Sequence, residues 1–222
     1  MYVGRIMHTE LITVSPTTSL EDASILIKKK KIDHLPVISE NGKLVGILSD
    51  RDLKQYWASP ATTLSKNELN YLIQQVIVEM IMIKTVITIS PEYTVERAAL
   101  IMQENDINAL PVVENNQLVG IITSSDVMDV LLSAIGISDD SVRLGVMVKD
   151  SIGTLADLSA LLSKEQINIQ SLFSWPEKGY GGIYQMVMRI PKDDGDKAIK
   201  ALSAKGYKVI EKYEKDITPF LP

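Results

Sequence analysis

Apolar residues recur at helical spacing in SLEDASILIKKKKI (19–32), at Leu20, Ala23 and Ile27. They do so again in TVERAALIMQENDI (94–107), at Val95, Ala98, Ile101 and Met102. Before each run stands a short β-branched stretch, ITV (12–14) or ITI (87–89), that ends at Ser-Pro and reads as a strand. After each run come two more strand-like stretches, LPVI then LVGIL in the first case and LPVV then LVGII in the second. They are joined by ENGK or ENNQ, whose Asn-Gly and Asn-Asn tolerate positive φ and mark a hairpin. A second helix, DLKQYW or DVMDVLLSAI, follows, so the order strand, helix, strand, strand, helix is written twice. Ser19 and Thr94 are the expected N-caps, and only Ser19, with Asp22 three residues on, resembles a capping box.

The two runs are an internal repeat. Pro16 aligns with Pro91, Ala23 with Ala98 and Pro36 with Pro111 at an offset of 75, and Gly46 with Gly120 and Asp52 with Asp126 at an offset of 74. One residue is lost at the hairpin turn. Upstream, RIMHTELITV (5–14) aligns with MIMIKTVITI (80–89). One unit alone buries its sheet poorly, so the expectation is a pseudo-twofold pair packed face to face. The units are assigned to 1–60 and 78–136, with a helical linker over 61–77 capped by Ser65 and Glu68.

Beyond residue 140 the pattern changes. SVRLGVMVKD (141–150) alternates as a strand does, and a helix follows with Leu155, Leu158, Leu161 and Leu162 on one face. INIQSLFSW and GGIYQMVMRIP read as strands, DGDKAIKALSAKGY as a helix stopped at Gly206, and KVIEKY as a last strand. This is a βαββαβ, ferredoxin-like order over 141–215. The fold class is therefore α+β: two pseudo-symmetric β-α-β-β-α units plus a C-terminal ferredoxin-like domain.

Composition narrows the chemistry. A net charge of −5 disfavours nucleic acid as a partner. No cysteine is present and histidine occurs twice, which excludes disulfides, thiolate chemistry and a histidine-rich metal site. No apolar run approaches the ~18 residues of a membrane span, and the N-terminus lacks a signal peptide's apolar core, so a cytoplasmic location without a membrane partner is expected. No nucleophile, base or metal constellation stands out, and no GxxxxGK occurs. Neither catalysis nor a required cofactor is expected.

The repeat also duplicates a spacing: Gly46, Ser49 and Asp52 match Gly120, Thr123 and Asp126. Two readings are open. A hydroxyl and free N–H groups at a strand-to-helix turn can bind phosphate, and a carboxylate one turn on can accept from a ribose diol. The same residues also make capping boxes, with an acid favoured at the helix start. Inside the motif, Arg51 is either a phosphate partner or a solvated helix-start arginine, and Ser125 takes its place in the second copy. His34, ahead of Leu35-Pro36, is replaced by Ala109 and reads as a ligand contact or a surface histidine. The run Lys28–Lys31 reads as solvated charge at a helix end.

Leu35-Pro36-Val37 with Gly46, Ser49 and Asp52, and Leu110-Pro111-Val112 with Gly120, Thr123 and Asp126, resemble a tandem pair of CBS domains, a Bateman module, over roughly residues 1–135. The resemblance implies regulatory binding of an adenine nucleotide (AMP, ADP or ATP). It implies aspartate on ribose, hydroxyl on phosphate and the backbone around the proline strand, from His34 and Ala109 onward, against adenine. The third domain resembles an ACT domain through Asp150, Gly153 and Leu155, and through Ile167-Asn168-Ile169. There the resemblance implies an effector site for an amino acid or small metabolite at Asp150, Gly153, Leu155 and Asn168. Ile152 stands where that family commonly has proline, and the alternative is that Asp150 and Gly153 only shape a turn. The order of domains resembles the acetoin-utilisation (AcuB) family. The expected role is a regulatory homodimer that senses ligands and controls an unidentified protein; the alternative is a constitutive dimerisation scaffold with vestigial pockets.

Overall fold

A computed structural model of the chain describes residues 1–58 and 76–222. The expected linker helix over 61–77, with Ser65 and Glu68, lies up to residue 75 outside the described residues. The chain divides into two compact units, Met1–Met128 and Asp129–Pro222.

In the first unit the repeat is visible at every level. Helix α1 spans Leu20–Lys30, with Ser19 Oγ accepting from the Asp22 amide at 3.0 Å and donating to Asp22 Oδ2 at 2.7 Å. Its counterpart in the second repeat, Val95–Asn105, starts on Thr94, whose Oγ1 accepts from the Arg97 amide at 3.3 Å. Both helices end on a left-handed residue, Lys31 (φ 53°) and Asp106 (φ 52°). Strands β1 (His34–Ile38) and β2 (Leu44–Ser49) form one antiparallel hairpin, and β3 (Ala109–Glu114) and β4 (Gln117–Thr123) another. Each pairing slips by a residue at the same place, between Val37 and Ile38 and between Val112 and Val113. The second turn places Asn115 and Asn116 at φ 50° and 63°, and the longer first turn needs only Gly42, at φ 74°. Helix α2 (Asp50–Ala58) follows β2, and Ser124–Ile135 follows β4. In chain order the two helices of the second repeat are α3 and α4.

One expectation for the first unit is corrected. The stretches 12–14 and 87–89 are not strands. Each makes a single parallel bridge, Val14 to Val37 and Ile89 to Val112. The upstream segments are also exchanged. Val78 is fully buried in the core of the first repeat beside Leu20, Leu35 and Leu48, and Ile83 gives and receives backbone hydrogen bonds with Ile47 (2.9 and 3.0 Å). Conversely, Val3 donates to Tyr93 O at 2.8 Å, Gly4 donates to Pro91 O at 2.9 Å, and His8 pairs with Ile121 (2.9 and 3.0 Å). Each repeat is completed by the lead segment of the other.

The second unit has β5 (Ser141–Lys149), α5 (Thr154–Lys164), β6 (Ser171–Pro176), β7 (Ile183–Pro191), α6 (Gly195–Ala204) and β8 (Val209–Ile210). The sheet is antiparallel in the order β6-β7-β5-β8, the ferredoxin-like arrangement. Leu144, Val146, Met188 and Ile190 from the sheet pack against Leu158, Leu162, Ala198 and Leu202 from the helices. INIQSLFSW is extended only from Ser171, because the Ile167 amide turns back to Leu162 O. KVIEKY shrinks to two paired residues, since Glu211, Lys212 and Tyr213 are exposed and have no partner strand.

Candidate functional site

The repeated motif sits where a hairpin strand runs straight into a helix. In the first copy Asp52 Oδ2 accepts from the Ser49 amide (2.8 Å) and from Ser49 Oγ (2.6 Å), while the Asp52 amide donates to Ser49 Oγ (3.2 Å). In the second, Asp126 Oδ2 accepts from the Thr123 amide and from Thr123 Oγ1 (both 2.7 Å), and the Asp126 amide donates to Thr123 Oγ1 (3.4 Å). Both are capping boxes. Each uses one carboxylate oxygen, and a carboxylate has a second oxygen with acceptor capacity of its own. The box therefore fixes the side chain without exhausting it.

Both copies flank a cleft of about 1250 Å3 within the first unit, roomier than the ~300–1,000 Å3 of ordinary small-molecule pockets. His34, Pro36, Ser49, Arg51, Asp52, Ala109, Pro111 and Thr123 line it. Asp126 stands one turn behind Thr123, its side chain 14% exposed. The other motif residues lie elsewhere. Leu35 and Leu110 are fully buried in the core. Gly46 and Gly120 are seats for methionine: a Cβ on either would come within 2.4 Å of Met82 Sδ or Met7 Sδ. Their lack of a side chain is what lets the exchanged segments settle on the hairpins.

The lead segments supply another part of the wall, including Met7, His8, Leu11, Ile83, Thr85 and Ile87. The sequence reading gave His8 no role. The available signal was its alignment with Ile83, a polar residue against an apolar one. His8 Nε2 lies 2.9 Å from Asp126 Oδ1, whereas Asp52 Oδ1 has no such partner among the described residues. His34 is held below the ordinary histidine pKa of 6.5, chiefly by burial and further by Arg51, against the opposing pull of Asp33 and Asp52. Asp50 is paired with Lys54, one turn on, and Arg51 makes no ion pair among the described residues.

In the second unit the loop before α5 places Gly153 at φ 96° as an N-cap without a side-chain bond. Thr154 Oγ1 donates to Ser151 O at 2.9 Å, and the Asp150 amide donates to Gly182 O at 2.8 Å. Asp150, Ile152, Leu155 and Asn168 all expose their side chains to solvent. Among the described residues no acidic or histidine cluster has the geometry of a metal site, and no helix is long and apolar enough to cross a membrane.

The CBS domain model matches residues 3–59 and 78–133, and the ACT domain model matches 142–206. A homoserine O-acetyltransferase of Methanohalobium evestigatum is 33% identical over 127 residues, which are 57% of this chain and 23% of that enzyme. The chain thus spans about a quarter of the length of such curated relatives. The CBS domain pair of protein MJ0100, solved in complex with 5′-methylthioadenosine and S-adenosyl-L-methionine, superposes with a TM-score of 0.52 at 29% identity. That match covers 60% of this chain and 97% of the other. A Vibrio cholerae protein assigned to acetoin utilization (AcuB) matches with a TM-score of 0.51 at 31% identity, over 60% of this chain and 91% of the other. The duplicated hairpin-to-helix motif, the antiparallel four-stranded domain that follows it in the sequence and these matches give one conclusion: the chain belongs to the CBS domain family, as a tandem CBS pair followed by an ACT domain.

Proposed function

We propose that this chain is a non-catalytic regulatory protein that senses adenine nucleotides, AMP, ADP or ATP, in the cleft of its CBS pair. The observation that carries this reading is the placing of Ser49 with Asp52, and of Thr123 backed by Asp126, around one cleft large enough for a purine nucleotide. In this assignment Asp52 and Asp126 accept from ribose hydroxyls, Ser49 and Thr123 contact phosphate, and Arg51 neutralises phosphate charge. His34, Pro36, Ala109 and Pro111 flank the base. Leu35, Leu110, Gly46 and Gly120 act by holding the hairpins rather than by contact. The adenosine-based ligands of MJ0100 support the class of ligand. They also put S-adenosylmethionine and methylthioadenosine on the panel.

The ACT domain is assigned an amino acid or other small effector at Asp150, Gly153, Leu155 and Asn168. Binding acts by changing the arrangement of a homodimer or its hold on a regulated protein, which requires a ligand that favours one arrangement over the other. A thermal-shift panel of adenine nucleotides, S-adenosylmethionine, methylthioadenosine and amino acids tests this. A ligand of the folded form raises the melting temperature by mass action, and no shift with any adenosine compound at millimolar concentration would overturn it. The second reading, a constitutive dimerisation scaffold, is favoured by one observation: Oδ2 of both aspartates already serves a capping box. It predicts partner binding that ignores every nucleotide.

A further inference from the structure

The two halves of the cleft differ in what their carboxylates can still accept. Asp52 has one oxygen in the capping box and the other without a partner among the described residues. Asp126 has both committed, Oδ2 to the box and Oδ1 to His8 Nε2 at 2.9 Å. A carboxylate only accepts, so the imidazole is the donor. Oδ1 keeps a second lone pair, but His8 lines the cleft where Asp126 does not, so a ribose hydroxyl approaching Asp126 from the cleft meets the imidazole first. Among the described residues the first half has no counterpart, because Ile83 occupies the place of His8 in the matching bridge to Ile47.

The backbone of His8 is not free to leave. Its N–H donates to Ile121 O and its carbonyl accepts from the Ile121 amide, and Met7 fills the space over Gly120. What can leave is the ring, whose side chain is 62% exposed. The first half also brings Arg51, which makes no ion pair among the described residues, to the cleft, where the second has Ser125.

We infer that the two half-sites are unequal and that His8 is a built-in competitor for the second. The intact chain takes adenine nucleotide at Asp52, while the Asp126 half-site stays closed until the imidazole swings out. This rests on the nucleotide reading above and deepens it. Hydrogen bonds to charged groups are the stronger ones, and for a solvent-exposed donor the low end of their range corresponds to about a tenfold loss of affinity at the second site.

The test is the stoichiometry of AMP binding to the full chain by calorimetry. The unaltered chain should take one AMP per chain at submillimolar concentration. His8→Ile, which installs the residue found at the same place in the other repeat, should take two, the second site tightened about tenfold. His8→Ala serves the same purpose should isoleucine disturb the strand pairing, and a melting curve confirms folding of each. Two equivalent sites in the unaltered chain, or a single site in both folded variants, would overturn the inference and leave the nucleotide reading standing. No heat with AMP, ADP or ATP from any of the three would overturn the nucleotide reading and this inference together.

Discussion

The two CBS repeats share a scaffold and differ in the charges they hang on it. Caps, hairpin slips, methionine seats and the buried Leu35 and Leu110 correspond position for position. At the cleft the correspondence stops. The first repeat presents Lys31, His34, Arg51 and an Asp52 with an open oxygen; the second presents Asp106, Ala109, Ser125 and an Asp126 engaged by His8. The same helix-start geometry thus leaves one carboxylate oxygen without a partner among the described residues in the first copy and engages both in the second. What decides between them is the residue delivered by the exchanged lead segment, His8 or Ile83.

The scaffold side of the comparison carries the largest effects. Leu35→Ala and Leu110→Ala, at matching fully buried positions, should each lower the urea-unfolding free energy by about 2–5 kcal/mol. A wide gap between them would show that the cores are not equivalent. The methionine seats should be less even. Gly120→Ala is expected to cost about 1–3 kcal/mol, because the added carbon meets the backbone oxygen of His8 at 3.2 Å as well as Met7. Gly46→Ala should cost less, since all three of its near atoms belong to the flexible Met82 side chain. Equal melting temperatures for the two would count against the exchange as described. Removing a cap hydroxyl, Ser49→Ala or Thr123→Ala, should cost about 1 kcal/mol in each repeat.

The smallest effect is a pH dependence from His34, where the second repeat has Ala109. Burial keeps folded His34 below 6.5, so the unfolded chain takes up the proton first. The stability contributed by neutral His34 is complete above about pH 6.5 and declines as the pH falls through that value. His34→Gln should flatten this limb of a stability-versus-pH curve, and an unchanged slope would remove His34 from the account.

The scaffold was legible in the sequence because it is written in local terms. Ser19-x-x-Asp22, Asn115-Asn116 and the spacing of Leu20, Ala23 and Ile27 each fix a cap, a turn or a buried face within a few residues. The ferredoxin-like order of the third domain was legible for the same reason, apart from its last strand, where Glu211 to Tyr213 alternate without a partner strand to pair with. What escaped was non-local. Alignment of Met7 with Met82 shows that two segments correspond, but not which hairpin each settles on. Both capping boxes were foreseen as one of two readings, and among the described residues their geometry leaves a carboxylate oxygen without a partner in the first copy only. His8 could be found only by asking why a histidine stands where its partner repeat has isoleucine.

A crystal structure of the intact chain grown with saturating AMP would test the central claim most directly. The account predicts purine density in the cleft, with a ribose hydroxyl within about 2.6–3.2 Å of Asp52 Oδ1 and the phosphate towards Ser49 and Arg51. An empty cleft under those conditions, or AMP bound away from Asp52 and Asp126, would contradict it.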